Sequence, residues 1–222
     1  MDAWLDLKVM RREQLTADVV MLELESATAQ ALPAFEAGAY IDILLPGGLL
    51  RPYSLCNAPQ DRQRYVIAVR KERPSRGASV YFHDRLKVGQ ALRVRHPLNE
   101  FSLYPSATYS ALFCGGVGIA PLLSMAADLW HRGAGFEVHL SARNLQHAPF
   151  GNYLQLQPYT GRVHHHWSED ASGRIDFGQC FSRLSPLSHI YLCGPERYMQ
   201  DAMAAAQILC IGSDRLHFER FA

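Results

Sequence analysis

The chain has 222 residues and a formal net charge of +1, from 22 Lys+Arg and 21 Asp+Glu. This balance argues against a protein that binds nucleic acid through a basic tail. With 48% apolar residues the chain can bury a substantial core, which excludes disorder and allows one large domain or two ordinary ones.

The cysteines and the longest uncharged segment exclude two further classes. Five scattered cysteines, without a C-x2-C pair or a preceding secretory leader, predict a reducing, cytoplasmic location and neither a disulfide framework nor a zinc knuckle. Residues 101–127 carry no charge but contain two prolines and three glycines. We therefore expect a buried strand and helix there and no membrane span.

The first hundred residues predict a small closed antiparallel β-barrel. Apolar and polar residues alternate at 5–9, 20–25 and 41–43, and short apolar runs follow at 51–56, 65–70 and 90–95. Glycine, proline and other turn residues separate these runs, and one helix is expected at 79–86. Many short strands with turns between them are typical of a barrel.

The second half predicts a parallel sheet covered by helices. Strands are expected at 109–114, 136–140, 162–166, 189–193 and 215–218. Helices are expected from residue 119 to about 130, at 149–156 and at 195–209. This alternation is typical of an α/β domain, and we place the domains at 1–103 and 104–222.

Two glycine turns follow strands of this predicted sheet. Gly116, Gly118, Ile119 and Pro121 open the first helix, where glycines let a pyrophosphate approach the free N–H groups of the helix start. The second turn, Cys193-Gly194-Pro195, opens the last helix. Two such turns at the carboxyl ends of parallel strands predict one ligand crevice, although a glycine turn alone is often only structural.

Two short motifs of the first half suit a phosphate monoester. Arg51-Pro52-Tyr53-Ser54 lies on a predicted strand, with Arg51 and Tyr53 on one face and Ser54 on the other. Arg76-Gly77-Ala78-Ser79 begins the helix and supplies a guanidinium, a hydroxyl and N–H groups. A surface ion pair or a helix cap is the alternative for each residue taken singly.

The histidine run 164–166 resembles a metal site, but we expect no metal there. Adjacent side chains of a strand point to opposite faces, so only His164 and His166 could share an ion. We find no third ligand at helpful spacing, and we interpret His189 and His217 as packed or surface residues.

Taken together, the ordered motifs resemble those of the ferredoxin reductase superfamily, most closely the phthalate dioxygenase reductase type. They are Arg51-Pro52-Tyr53-Ser54, Arg76-Gly77-Ala78-Ser79, the turn 115–121, Cys193-Gly194-Pro195 with Met199, and the segment 217–221. The resemblance spans nearly the whole chain. It implies a flavin-binding barrel followed by a nicotinamide-nucleotide domain.

The resemblance also implies roles for individual residues. Tyr53 and Ser54 would lie along the flavin ring, with Ser54 near N5; Arg51, Arg76, Gly77 and Ser79 would face phosphate, and Ile67, Ala68 and Val69 would lie beside the ring. Gly116 and its turn would bind the pyrophosphate, and Cys193 and Gly194 would lie near the nicotinamide. Glu219 would be an acidic residue near the flavin and Phe221 an aromatic cover, with an apolar tail anchor as the alternative for Phe221. We therefore expect Ser54, Cys193 and Glu219 at the reacting centre, and Cys193 is not proposed as a nucleophile.

The sequence says less about which flavin and which nicotinamide nucleotide are bound. Two arginines near one phosphate favour FMN over FAD. Ser141 and Arg143 follow a strand where a ribose-binding carboxylate is absent, and they could bind a 2′-phosphate, but the family likeness favours NADH over NADPH.

Reductases of the resembled type continue into a ferredoxin domain with C-x4-C-x2-C spacing, which this sequence lacks. We expect electrons to pass to an iron–sulfur protein or missing C-terminal domain, and on to a terminal oxygenase acting on an aromatic substrate. An FAD-dependent ferredoxin or flavodoxin reductase and a non-catalytic nucleotide sensor are the alternatives.

Overall fold

The chain divides into two compact units, Met1–Ser102 and Leu103–Ala222. The computed structural model describes residues 4–72, 74, 77–171 and 173–221. Each unit is built around its own sheet, and the two sheets differ in strand direction.

The first unit is an antiparallel barrel, which confirms the predicted fold class. Its six strands are β1 (Trp4–Thr16), β2 (Val19–Ser26), β3 (Tyr40–Leu45), β4 (Leu49–Ser54), β5 (Arg64–Arg70) and β6 (Ala91–Arg95). They lie in the order β4-β3-β6-β1-β2-β5. An isolated bridge between Leu55 and Ile67 connects the two end strands and closes the sheet.

Alternating apolar side chains fill this barrel. Val20, Leu22 and Leu24 of β2 are fully buried, and they pack in one cluster with Ile41 and Ile43 of β3. The crossover between β5 and β6 carries α1 (Ala78–Val80), a π-helical turn (Tyr81–Arg85) and the buried Phe82. Burial alternates along β3, as the sequence pattern predicts, whereas Val19 to Leu24 of β2 are all buried, on both faces of the strand.

The second unit is the predicted α/β domain with a parallel sheet. Its strands are β7 (Tyr109–Gly115), β8 (Gly135–Ala142), β9 (Val163–Trp167), β10 (Ser188–Cys193) and β11 (Leu216–Glu219), in the order β11-β10-β7-β8-β9. Its helices are α2 (Ile119–His131), α3 (Gly151–Gln155), α4 (Phe177–Ser182) and α5 (Glu196–Ile208). Short 3-10 turns lie at 46–48, 116–118, 145–147, 160–162 and 213–215.

Two elements differ from the sequence prediction. β1 is 13 residues long and contains two register shifts against β2, so its alternation is interrupted after Val9. α4 was not predicted, because six residues are too few to establish a helical period. Its start is fixed by Asp176, whose side chain accepts a hydrogen bond from Gln179 N at 2.9 Å. None of the described helices is long and apolar enough to span a membrane.

The Asp176 cap gives a test of how α4 is held. We expect Asp176→Ala to lower the free energy of unfolding of the second unit by about 1 kcal/mol, because the first-turn N–H groups lose their acceptor. Asp176→Asn is the matched control and should retain most of the stability, since asparagine caps equally well. Urea unfolding followed by circular dichroism measures both, and equal destabilisation by the two variants would contradict the capping role.

Candidate active site

The motif Arg51-Pro52-Tyr53-Ser54 occupies the end of β4, the strand next to the barrel closure. It pairs with β3 in the register Ile43 to Arg51 and Tyr40 to Ser54. Ser54 is only 7% exposed, whereas Arg51 and Tyr53 are half-buried. The structure thus separates Ser54 from Arg51 and Tyr53 in the way the strand period predicts.

The ring of Tyr53 is held in place by a neighbouring ring, and its phenol group is uncharged. Its ring meets Phe82 edge-on, with 5.0 Å between ring centroids and 73° between planes. Burial raises the pKa of Tyr53 above its ordinary value; the charge of Glu72 raises it further and Arg51 opposes the shift. Phe82 was not predicted as a site residue, and only its place on the short helix could have indicated this supporting role.

The stretch Ile67 to Val69 lies directly across the closure from the β4 motif. All three residues are buried in β5. Cys56 N donates to Val66 O at 2.8 Å, beside the bridge from Leu55 to Ile67. Two segments that the family resemblance assigns to one ring site are therefore neighbours in the barrel.

The predicted phosphate turn is partly described. Gly77 has φ +106°, a conformation that favours glycine, and its Cα faces open space. Ser79 is 4% exposed, and its hydroxyl accepts a hydrogen bond from Glu72 N at 3.1 Å. Arg76 lies outside the described residues. These features fit a turn that must leave room for a ligand beside the helix start.

In the second unit the two glycine turns touch each other. A Cβ on Gly118 would overlap the carbonyl of Cys193 and lie 2.8 Å from Gly194 N. A Cβ on Gly194 would lie 3.1 Å from Gly115 N. Since β7 and β10 are parallel neighbours, with Cys114 opposite Cys193, their carboxyl ends bring both turns to one edge. The two turns that the sequence predicts to share one crevice thus meet in a contact between backbones.

The helix start beside this contact is arranged for an anion. Gly116 has φ +56°, which suits glycine, and the turn 116–118 leads into the 13-residue α2. Ile119 and Pro121 are buried in the first turn of α2, where proline loses no hydrogen bond. N–H groups at such a start favour a phosphate. The glycine cradle and helix start together fit a pyrophosphate.

Tyr198 of α5 supports both turns and was not predicted. A Cβ on Gly194 would lie 2.8 Å from the ring of Tyr198, and one on Gly115 would lie 3.3 Å from it. The ring of Tyr198 also meets Phe177 edge-on, with 4.9 Å between ring centroids. In the sequence, the one indication of this supporting role was that Tyr198 lies in the first turn of the helix that follows Pro195.

Ser141 lies next to the same edge, on the other side of β7. It pairs with Gly115 in the register of β7 and β8. Arg143 follows the end of β8 and is exposed. Both residues therefore lie at the carboxyl end of the sheet, where a nucleotide extending from the glycine turns would pass.

Cys193 and Glu219 are opposite each other on β10 and β11. Burial raises the pKa of the Cys193 thiol well above its ordinary value, and the charge of Glu219 adds to the shift. The thiol is therefore protonated at neutral pH, in agreement with its exclusion as a nucleophile. Phe221, two residues beyond β11, is 47% exposed.

His164 and His166 have ligating neighbours that their spacing along the sequence does not show. His139 of β8 and Cys180 of α4 lie close to His166, and Glu137 lies close to His164. These residues are far apart in sequence and meet only through strand pairing and the unpredicted α4.

Comparison with known proteins gives concordant results. A family described as "Oxidoreductase FAD-binding domain" matches residues 6–103. The carnitine monooxygenase reductase subunit of Escherichia coli (strain K12) is 35% identical over 220 residues, which cover 98% of this chain and 68% of that protein. The phthalate dioxygenase reductase of Burkholderia cepacia is 36% identical over 222 residues, covering 99% of this chain and 68% of its own.

A solved structure agrees with these relatives. The structure titled as phthalate dioxygenase reductase, "a modular structure for electron transfer from pyridine nucleotides to [2Fe-2S]", matches with a TM-score of 0.92 and 35% identity, over 99% of this chain and 68% of that one. The chain belongs to the ferredoxin reductase superfamily, in its phthalate dioxygenase reductase type. It is an NAD(P)H-dependent flavin oxidoreductase.

The contact between the glycine turns gives a test of the nucleotide half. Gly118→Ala should destabilise the second unit by roughly 1–3 kcal/mol, because the new methyl group meets backbone that must move. It should also weaken NAD(P)H binding, because the displaced backbone belongs to the turn expected to bind the pyrophosphate. Gly161→Ala, whose added Cβ would meet nothing within 4 Å, is the control.

Thermal unfolding and NADH titration measure these two effects. A Gly118→Ala protein as stable and as tight-binding as the Gly161→Ala protein would contradict the role of the backbone contact.

Proposed function

We propose that this protein takes electrons from NADH on an FMN bound in the barrel and passes them to an iron–sulfur acceptor of an oxygenase or demethylase. The main support for this proposal is that two glycine turns meet at one edge of a parallel sheet. In the same chain, the barrel brings the motif Arg51 to Ser54 next to Ile67. The flavin domain is proposed as 1–103 and the nucleotide domain as 104–222. A reducing cytoplasm is the proposed compartment, and all five cysteines are free thiols.

The barrel residues are proposed to position the flavin. When bound, the flavin accepts a hydride from the nicotinamide and releases electrons singly, which suits a one-electron acceptor. Tyr53, held edge-on by Phe82, would flank the ring, and the Ser54 hydroxyl would hydrogen-bond near N5. Buried Ile67, Ala68 and Val69 would exclude water from the ring's other edge.

The nucleotide residues are proposed to hold NADH by its phosphates. The backbone of Gly116 and Gly118 would take the pyrophosphate at the start of α2. Cys193 and Gly194 would line the nicotinamide, with Cys193 as a neutral thiol. The roles that the family resemblance gives to Pro195, Glu219 and Phe221 stay predictions.

The positive charge of two arginines favours FMN over FAD. Arg51 is half-buried on β4, and Arg76 precedes Gly77 in the sequence. Two guanidinium groups suit a compact phosphate dianion, whereas FAD would extend a bridged diphosphate past them. Acid release of the flavin and chromatography distinguish the two cofactors, and FAD as the released flavin would overturn this part of the proposal.

NADH is favoured over NADPH by family likeness alone. Arg143 is exposed beyond β8 and is proposed to stack on adenine. If it bound a 2′-phosphate, Arg143→Ala would raise the KM for NADPH far more than that for NADH. We expect a small and equal effect on both.

The acceptor is proposed from the relatives' names. They include vanillate O-demethylase oxidoreductases and phthalate dioxygenase reductase. An aromatic substrate of the terminal oxygenase is proposed on this ground. The 222 residues carry no C-x4-C-x2-C cysteines, so the cluster is assigned either to a separate ferredoxin or to a further domain.

Ser54 tests the mechanism at one atom. Ser54→Ala should slow anaerobic flavin reduction by NADH roughly tenfold, because a lost hydrogen bond in the transition state costs on the order of 1.4 kcal/mol. Ser26→Ala, at the end of β2, is the matched control. Stopped-flow absorbance of the flavin measures the rate, and equal rates for both variants would remove the proposed role of Ser54.

A further inference from the structure

A cluster of metal-ligating side chains lies on β8, β9 and α4. His139 Nδ1 is 2.9 Å from His166 Nε2 and 4.0 Å from Cys180 Sγ. The ligand atoms of these three residues all lie within 4.8 Å of one another. Two imidazoles and a thiol from three separate elements thus converge on one point.

The pairing of β8 and β9 explains this convergence. The two strands are parallel, with His139 opposite His164 and Ser141 opposite His166. Glu137 and His139 therefore share a face with His164 and His166, while His165 points to the other face and stacks on Trp167 at 5.0 Å. α4 covers the shared face and brings Cys180 to it.

Phe113 and Glu137 set the orientation of His139. Its ring stacks on Phe113 with 4.3 Å between centroids and 10° between planes. Its second nitrogen, Nε2, lies 3.1 Å from Glu137 Oε1. A carboxylate there favours the tautomer with the proton on Nε2, which leaves the Nδ1 lone pair toward His166 and Cys180. Tyr109 donates in turn to Glu137 Oε2 at 3.2 Å.

The spacing suits a tetrahedral ion. Zinc bound at ordinary N and S distances holds its ligand atoms about 3.3 to 3.6 Å apart. The distances from His139 Nδ1 to His166 Nε2, 2.9 Å, and to Cys180 Sγ, 4.0 Å, lie within about 0.5 Å of these values. The remaining pair, His166 Nε2 and Cys180 Sγ, lies within 4.8 Å, so one ion can hold all three atoms after the side chains adjust. The residues also line a cavity of about 420 Å³, which gives an ion and a water molecule access.

We propose that His139, His166 and Cys180 form a binding site for a borderline-soft divalent transition ion such as Zn²⁺, with Glu137 positioning His139. Two imidazoles and a thiolate match the ligand preference of Zn²⁺ and not that of Mg²⁺ or Ca²⁺. Binding forms the sulfur–metal bond and releases the Cys180 thiol proton to solvent. Three protein ligands leave a fourth position open to the cavity, and the ion ties α4 to the sheet.

The test uses Co²⁺, and then Zn²⁺, with the full chain treated with chelator and kept reduced. We expect one equivalent of Co²⁺ to produce the red absorption of tetrahedral cobalt, at wavelengths beyond flavin absorption. Zn²⁺ should displace it, because zinc binds nitrogen and sulfur sites more tightly. If the unaltered chain gives no such band, the proposal is overturned, and no variant is needed to reach that conclusion.

Variants identify the ligands. His166→Ala and Cys180→Ser should each weaken binding by more than about tenfold, since the loss of even an outer partner costs that much. His165→Ala, on the opposite face of β9, and Cys210→Ser, an exposed cysteine, are the matched controls and should bind as the unaltered chain does. Circular dichroism establishes that each variant is folded. Equal weakening by His165→Ala and His166→Ala would overturn the assignment.

Discussion

The backbone contact between the two glycine turns is the constraint on which the nucleotide half depends. Gly118 lies against the carbonyl of Cys193, and Gly194 lies against Gly115 N, with too little room for a side chain. Parallel pairing of β7 with β10 brings the turns together, and Tyr198 fills the space behind them. The first turn of α2 begins beside this contact, and the N–H groups of a helix start favour an anion.

In the barrel, the closure of the sheet brings the two predicted flavin-binding segments together. Its end strands are joined by a bridge at Leu55 and Ile67, so the Arg51 to Ser54 motif and the Ile67 to Val69 stretch become neighbours. The closure fixes their spacing, and Phe82 from the crossover fixes the ring of Tyr53. The flavin site proposed there would rest on strands and on one short helix, which hold side chains more precisely than loops do.

The sequence predicted the strands, the barrel and the parallel sheet because apolar periodicity reports directly on burial. It also predicted both glycine turns, since their residue types are required by the backbone. It missed α4, whose six residues show no period, and it missed Tyr198 and Phe82, whose roles depend on tertiary contacts. The cluster of His139, His166 and Cys180 was missed for the same reason: its members are brought together by strand register and by α4, not by their spacing along the chain.

The account's central claim is that flavin and nicotinamide nucleotide react in this one chain. The visible spectrum of the purified protein under argon, before and after NADH, tests it most directly. The account predicts a yellow protein whose flavin absorption is bleached by about one equivalent of NADH, because one hydride carries the two electrons that reduce one flavin. A colourless protein, or a yellow one that NADH leaves unbleached, would contradict it.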